Sequence, residues 1–94
     1  MASFQDHCKE SLKEFGNEYA HVHRYLDEFF RKVGPKHRSI RHHADGVEEV
    51  RRKWGNDAAL AAERHIMTDW AWHPEYNGRV PTKSESEIWT LQIF

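Results

Sequence analysis

Cysteine is nearly absent: Cys8 is the only one in 94 residues. A lone thiol forms no internal disulfide and no cysteine cage for zinc, which fits a reducing compartment. No apolar run approaches the roughly 20 residues that a membrane-spanning helix needs. The first ten residues, MASFQDHCKE, have neither a basic start nor an apolar stretch. No signal peptide is therefore expected, and the cytoplasm is the default location. Net charge is also close to nil, at −1, so nothing pulls the whole chain toward nucleic acid. The Gly-rich phosphate loop, the HExxH zinc motif, internal repeats and low-complexity stretches are all missing. No membrane and no nucleic-acid partner is expected.

What the chain has in abundance is histidine, eight of them, with twelve aromatic residues. A hydrophobic content of 38% against 31% charged residues suits a soluble globular fold. Ninety-four residues make one domain with a modest core, taken as 1–94. Charge is uneven along it. Residues 35–53 carry six basic against three acidic side chains, and residues 54–94 carry three against six.

The apolar spacing is helical throughout, so the fold class expected is all-α, a compact bundle of about four helices with a short C-terminal helix or tail. Phe4, Cys8, Leu12 and Phe15 mark a first helix, with Ser3 and Asp6 at its start and Gly16 as its stop. Tyr19, Val22, Leu26, Phe29, Phe30 and Val33 mark a second, running from Asn17 to Gly34-Pro35. Ile40, Ala44, Val47, Val50 and Trp54 mark a third, about five turns long, ending at Gly55. Ala59, Leu60, Ile66, Met67 and Trp70 mark a fourth. Residues 71–81 read as loop, and Thr82 or Ser84 can start a last short helix.

Histidines on or beside apolar stripes are the feature that composition does not explain. On these helical phases His43 falls inside its stripe, His37 at the edge, and His42 nearly opposite. His23 and Asp27 share a face at i and i+4. Glu63 projects from the middle of the fourth stripe. The expected ligand set is therefore His23, Asp27, His43 and Glu63, with His37 or His65 near the ion. Imidazole and carboxylate together suit a divalent transition metal: zinc, iron or manganese. An open position on that ion would allow hydrolysis by a water activated on it. The alternative is a buried polar network without metal, in which His23 pairs with Asp27 and Glu63 accepts from His43 or from an arginine, Arg38 or Arg41. His42 and His65 face away from their stripes, which puts them in solvent, or makes either a metal ligand if the helical phase is one residue out.

A second class of function is a protein-interaction module, such as a phage-type inhibitor or adaptor. Trp70, Trp72, Trp89 and Phe94 would form its aromatic C-terminal surface. Ile88, Trp89, Leu91, Ile93 and Phe94 put five large apolar side chains in the last seven residues, so self-association or a protein partner is expected.

The residues also carry a resemblance. His7 precedes Phe15-Gly16, and His23-x-x-x-Asp27 follows. Then come the block KHRSIRHHADG from Lys36 to Gly46, Glu63-x-His65-x-x-x-Asp69, and Pro81-Thr82. This series resembles a group of small uncharacterised proteins of bacteria and their phages. Lys36 stands where that group has arginine, and the stretch from Trp54 to Glu63 is shorter. The resemblance implies that these histidine and acidic positions form one pattern. It implies no activity.

Overall fold

The computed structural model describes residues 3–93. It is all-α, with no strand among the described residues. Helix α1 spans Phe4–Phe15, α2 Ala20–Leu26, α3 Phe30–Val33, α4 Arg38–Arg41, α5 Ala44–Trp54, α6 Asn56–Trp70 and α7 Lys83–Ile93. A 3₁₀ turn, Gly34–His37, links α3 to α4. No helix is long and apolar enough to cross a membrane.

Local chemistry explains the ends. Ser3 and Asp6 form a reciprocal capping box on α1, each side chain accepting the other's backbone N–H at 3.1 Å. Thr82 and Glu85 do the same for α7. Asn17 accepts the Tyr19 N–H and holds the turn that starts α2. Gly55 separates α5 from α6 at φ 95°, a conformation that only glycine adopts without strain.

Two expected helices are interrupted. The second ends at Leu26, and Asp27 becomes its C-cap before the chain turns into α3. The third breaks at His42–His43. There His43 is extended, at φ −157° and ψ 178°, and acts as the N-cap of α5, its Nδ1 accepting the Gly46 N–H. The freed backbone groups all find partners. The His42 carbonyl accepts the Trp70 indole N–H at 3.0 Å, and the Ala44 N–H donates to the Pro81 carbonyl at 2.9 Å. Gly46 lets the two short helices approach. A Cβ there would sit 1.9 Å from the Arg41 carbonyl oxygen.

The apolar core gathers Val22, Leu26, Val47, Val50, Ala58, Ala59, Ala62, Ile66, Trp70 and Trp89. Helix α6 turns alanines inward on several sides, which lets its neighbours pack close. Leu60, expected on its buried stripe, points out. Helix α1 is likewise rotated. Its buried residues are His7, Cys8 and Ser11, while Leu12 lies half exposed. Trp70 and Trp89, expected on a partner-facing surface, are core residues with rings 5.3 Å apart. Trp72 is half exposed, and Phe94 lies outside the described residues.

Gly46→Ala should cost about 3 kcal/mol or more, because the clash is with backbone and no rotamer change relieves it. Trp89→Ala should cost about 3–5 kcal/mol as a large core truncation. Urea denaturation of both variants checks this. A Gly46→Ala midpoint equal to wild type would mean the close approach at the break is not made.

Candidate metal centre

Between α1, α2, α4 and α6 the interior is polar. Helix α1 supplies His7 and Ser11, α2 supplies His23, and its C-cap supplies Asp27. The 3₁₀ turn supplies His37, the α4–α5 break supplies His42, and α6 supplies His65 and Asp69 one turn apart. All five histidines have almost no exposed surface, and Asp69 is equally buried. Asp27 keeps a quarter of its side chain accessible.

At the centre, four donor atoms converge. His42 Nε2 lies 2.9 Å from Asp69 Oδ2, 3.1 Å from His65 Nε2 and 3.4 Å from Asp27 Oδ1. His65 Nε2 lies 3.1 Å from Asp27 Oδ1 and 3.3 Å from Asp69 Oδ2. The two carboxylates have ligand atoms within 4.8 Å of each other. Such a group of buried histidine and aspartate ligands can hold a metal ion.

Behind His65 runs a hydrogen-bonded chain. His65 Nδ1 meets His23 Nδ1 at 2.8 Å, and His23 Nε2 meets Ser11 Oγ at 2.7 Å. Burial, reinforced by His65 and His7, pushes the His23 imidazole down to a pKa of about 3, so it is neutral at pH 7. His7 stacks on His65 with ring centroids 3.6 Å apart, and its Nε2 lies 3.2 Å from Asp69 Oδ1. A second triplet, His7, His23 and His65, also has ligand atoms within 4.8 Å.

His37 approaches from the rim. Its Nδ1 lies 2.8 Å from the Gly34 carbonyl and must donate to it, because a carbonyl only accepts. The neutral ring therefore has a lone pair on Nε2, aimed at Asp27 Oδ1 from 3.1 Å. That contact needs either a second proton on His37 or a shared cation. Burial opposes charge on Asp27, yet hydrogen bonds from His37, His42 and His65 outweigh it and hold the carboxyl well below its ordinary range. Asp69 is held low in the same way by His42, His65 and His7.

Of the ligands expected from sequence, His23, Asp27, His37 and His65 come together here. His43 and Glu63 do not. His43 is buried at the break, where Nε2 donates to the Ile40 carbonyl and Nδ1 accepts the Gly46 N–H. Both ring nitrogens are thereby used as a cap. Glu63 is half exposed on the outer side of α6, 3.8 Å from Arg51 rather than paired with Arg38 or Arg41. His7, His42 and Asp69 are the members that periodicity missed. Two signals were present: the His-x-x-x-Asp spacing occurs twice, at 23/27 and at 65/69, and the resemblance set His7, His42 and Asp69 in one pattern with the expected ligands. His42 and His65, expected in solvent, are interior because the break resets the phase of one helix and the alanines of α6 obscure the other.

The chain belongs to the family described as a domain of unknown function, DUF6915, whose model matches residues 1–84. Every member of the cluster lies in that span. Neither a curated protein nor a solved structure matches the chain.

The buried groups predict acid sensitivity of the metal-free protein. His23 titrates lower folded than unfolded, so its contribution is complete above about pH 6.5 and declines as pH falls toward 3. Asp27 and Asp69, also depressed, are fully stabilising above about pH 4 and lose that below it. Urea midpoints measured from pH 8 to 3 in chelator should fall monotonically, and His23→Gln should make the upper part of the fall shallower. His43→Ala should cost about 1–3 kcal/mol through the lost cap and two lost hydrogen bonds. Glu63→Ala should stay within about 0.5 kcal/mol, as for other exposed ion pairs.

Proposed function

We propose that this chain is a metal-binding protein. One divalent transition metal, of the zinc, iron or manganese kind, sits between Nε2 of His42, Nε2 of His65 and one carboxylate oxygen each of Asp27 and Asp69. The observation that carries the reading is the mutual spacing of those four atoms. Neutral His42 and His65 each have at most one proton on Nε2, but each Nε2 has three polar neighbours between 2.9 and 3.4 Å. Direct hydrogen bonds satisfy one neighbour per ring and leave the rest as repulsive contacts. A cation at the centre satisfies all four donors together. Metal–ligand bonds of about 2.0–2.2 Å in a tetrahedron put ligand atoms about 3.3–3.6 Å apart, close to the spacings seen. Two carboxylates also match the charge of a divalent ion.

The chain behind His65 fits the same arrangement. A His65 that coordinates through Nε2 keeps its proton on Nδ1 and donates it to His23 Nδ1. His23, neutral through burial, then donates from Nε2 to Ser11 Oγ. His23 on this account orients a ligand without being one. Asp27 and Asp69 also line an open cleft, so the ion is reachable from solvent. With those four residues as ligands, a water would have to enter as a fifth ligand from the cleft side, and a divalent ion would then supply hydrolytic chemistry by acidifying it.

Elemental analysis of untagged protein, purified without a nickel column, should find about one ion per chain, and adding the metal to stripped protein should raise the melting temperature. Asp69→Asn and His42→Ala should lose the ion. His23→Gln should keep it with affinity reduced about 10–100-fold. Protein that carries no ion and shows no melting shift with zinc, manganese or iron would leave the cluster as a structural network only.

A second reading rests on α7. Ile88, Leu91 and Ile93 are exposed on it, Leu91 by 83%. Burial of that row between two copies would give a homodimer. Light scattering should then show a dimer that Leu91→Asp converts to a monomer.

A further inference from the structure

A cleft of about 640 Å³ opens onto the cluster, with Asp27, His37 and Asp69 in its lining. Its walls carry Phe4 and Phe30 and two arginines, Arg24 and Arg31. We propose that this cleft takes a phosphate ester with a flat apolar group, the phosphate held by Arg24 and Arg31 beside the ion and the apolar group laid against Phe4 and Phe30. The proposal rests on the metal reading above and adds to it the class of substrate.

Charge is the first support. A divalent ion offsets Asp27 and Asp69. The remaining acidic residue of the lining, Glu28, is taken up by Arg41 at 2.8 Å. Arg24 and Arg31 make no ion pair among the described residues, so the occupied cleft has an excess of positive charge that an anion fits. Geometry is the second. The Arg24 guanidinium lies over the Phe4 ring, 5.1 Å from its centroid, so the cation sits beside an apolar face of the same cleft. Planar forks of this kind suit the oxygens of a phosphate better than a single carboxylate between two of them. Size and lining are the third. A cleft of 640 Å³ is in the range that holds a whole organic ligand, well beyond inorganic phosphate. Both phenylalanines are over a third exposed, and Phe30 is fixed by edge contact with His37, its centroid 5.4 Å from the imidazole.

The reaction is hydrolysis, and it balances without a further reactant. The oxygen of water bonds to phosphorus, the P–O bond to the organic group breaks, and the proton released by the water ends on the departing oxygen. The products are an alcohol or phenol and phosphate.

The test uses the full chain loaded with manganese, its metal content measured in every sample. 4-Nitrophenyl phosphate should be hydrolysed and 4-nitrophenyl acetate should not, and inorganic phosphate should compete. The double variant Arg24→Ala, Arg31→Ala should keep its metal and raise KM about tenfold or more with little change in kcat, the pattern of lost substrate binding. A chain that holds manganese but neither cleaves 4-nitrophenyl phosphate nor binds inorganic phosphate overturns the substrate class and leaves the metal site standing. So does an unchanged KM in the double variant. A chain that holds none of manganese, zinc or iron, by elemental analysis, overturns the metal reading first and this proposal with it; one that holds only zinc or iron is assayed loaded with that ion.

Discussion

The structure is organised around a buried meeting of two imidazoles and two carboxylates. His42, His65, Asp27 and Asp69 place four donor atoms close together in the interior of a small protein. Burying such groups is costly unless each is paired. Every departure from regular helix nearby serves to bring them in. Ending α2 at Leu26 lets Asp27 turn toward the centre, and breaking the helix at His42–His43 sends His42 inward. An unbroken helix through Arg41 and Ala44 would carry His42 on the face away from Val47 and Val50.

The break is held by the apolar half of the molecule. Trp70 packs against Trp89 in the core and also donates its indole N–H to the carbonyl of His42. One large side chain thus joins the hydrophobic cluster to the polar one. His43 caps α5 from the same turn, and Gly46 leaves room for the Arg41 carbonyl. Substitutions in the core should therefore disturb the cluster even where they touch none of its members, because the position of His42 depends on Trp70.

Around the four donors, the remaining polar residues take distinct parts. Ser11 and His23 line up behind His65 in a hydrogen-bonded chain. His7 stacks on His65, and His37 approaches Asp27 from the rim. The cleft is lined by Asp27, Asp69 and His37 of the cluster, while His7, His23, His42 and His65 are not in its lining.

By itself the sequence determined the helical class, the capping boxes at Ser3 and Thr82, the glycine stops at Gly16 and Gly55, and the loop from 71 to 81. These rest on contacts within a few residues, and residue identity sets them. It also pointed to histidine and carboxylate as the notable chemistry, and to His23, Asp27, His37 and His65. Tertiary structure alone decided which groups meet. Hydrophobic periodicity finds the face of a helix that meets an apolar core, and here much of the interior is polar. On α1 the inward face is His7, Cys8 and Ser11, so the expected stripe held only Cys8 of that face, and Leu12 lies half exposed. On α6 small alanines face inward and Leu60 outward, so the apolar stripe gives the wrong inward face for His65 and Asp69. At His42 the helical phase was extended across a break that only a distant indole and a loop carbonyl, from Trp70 and Pro81, make stable. Those partners lie 28 or more residues away along the chain, where no local pattern can register them.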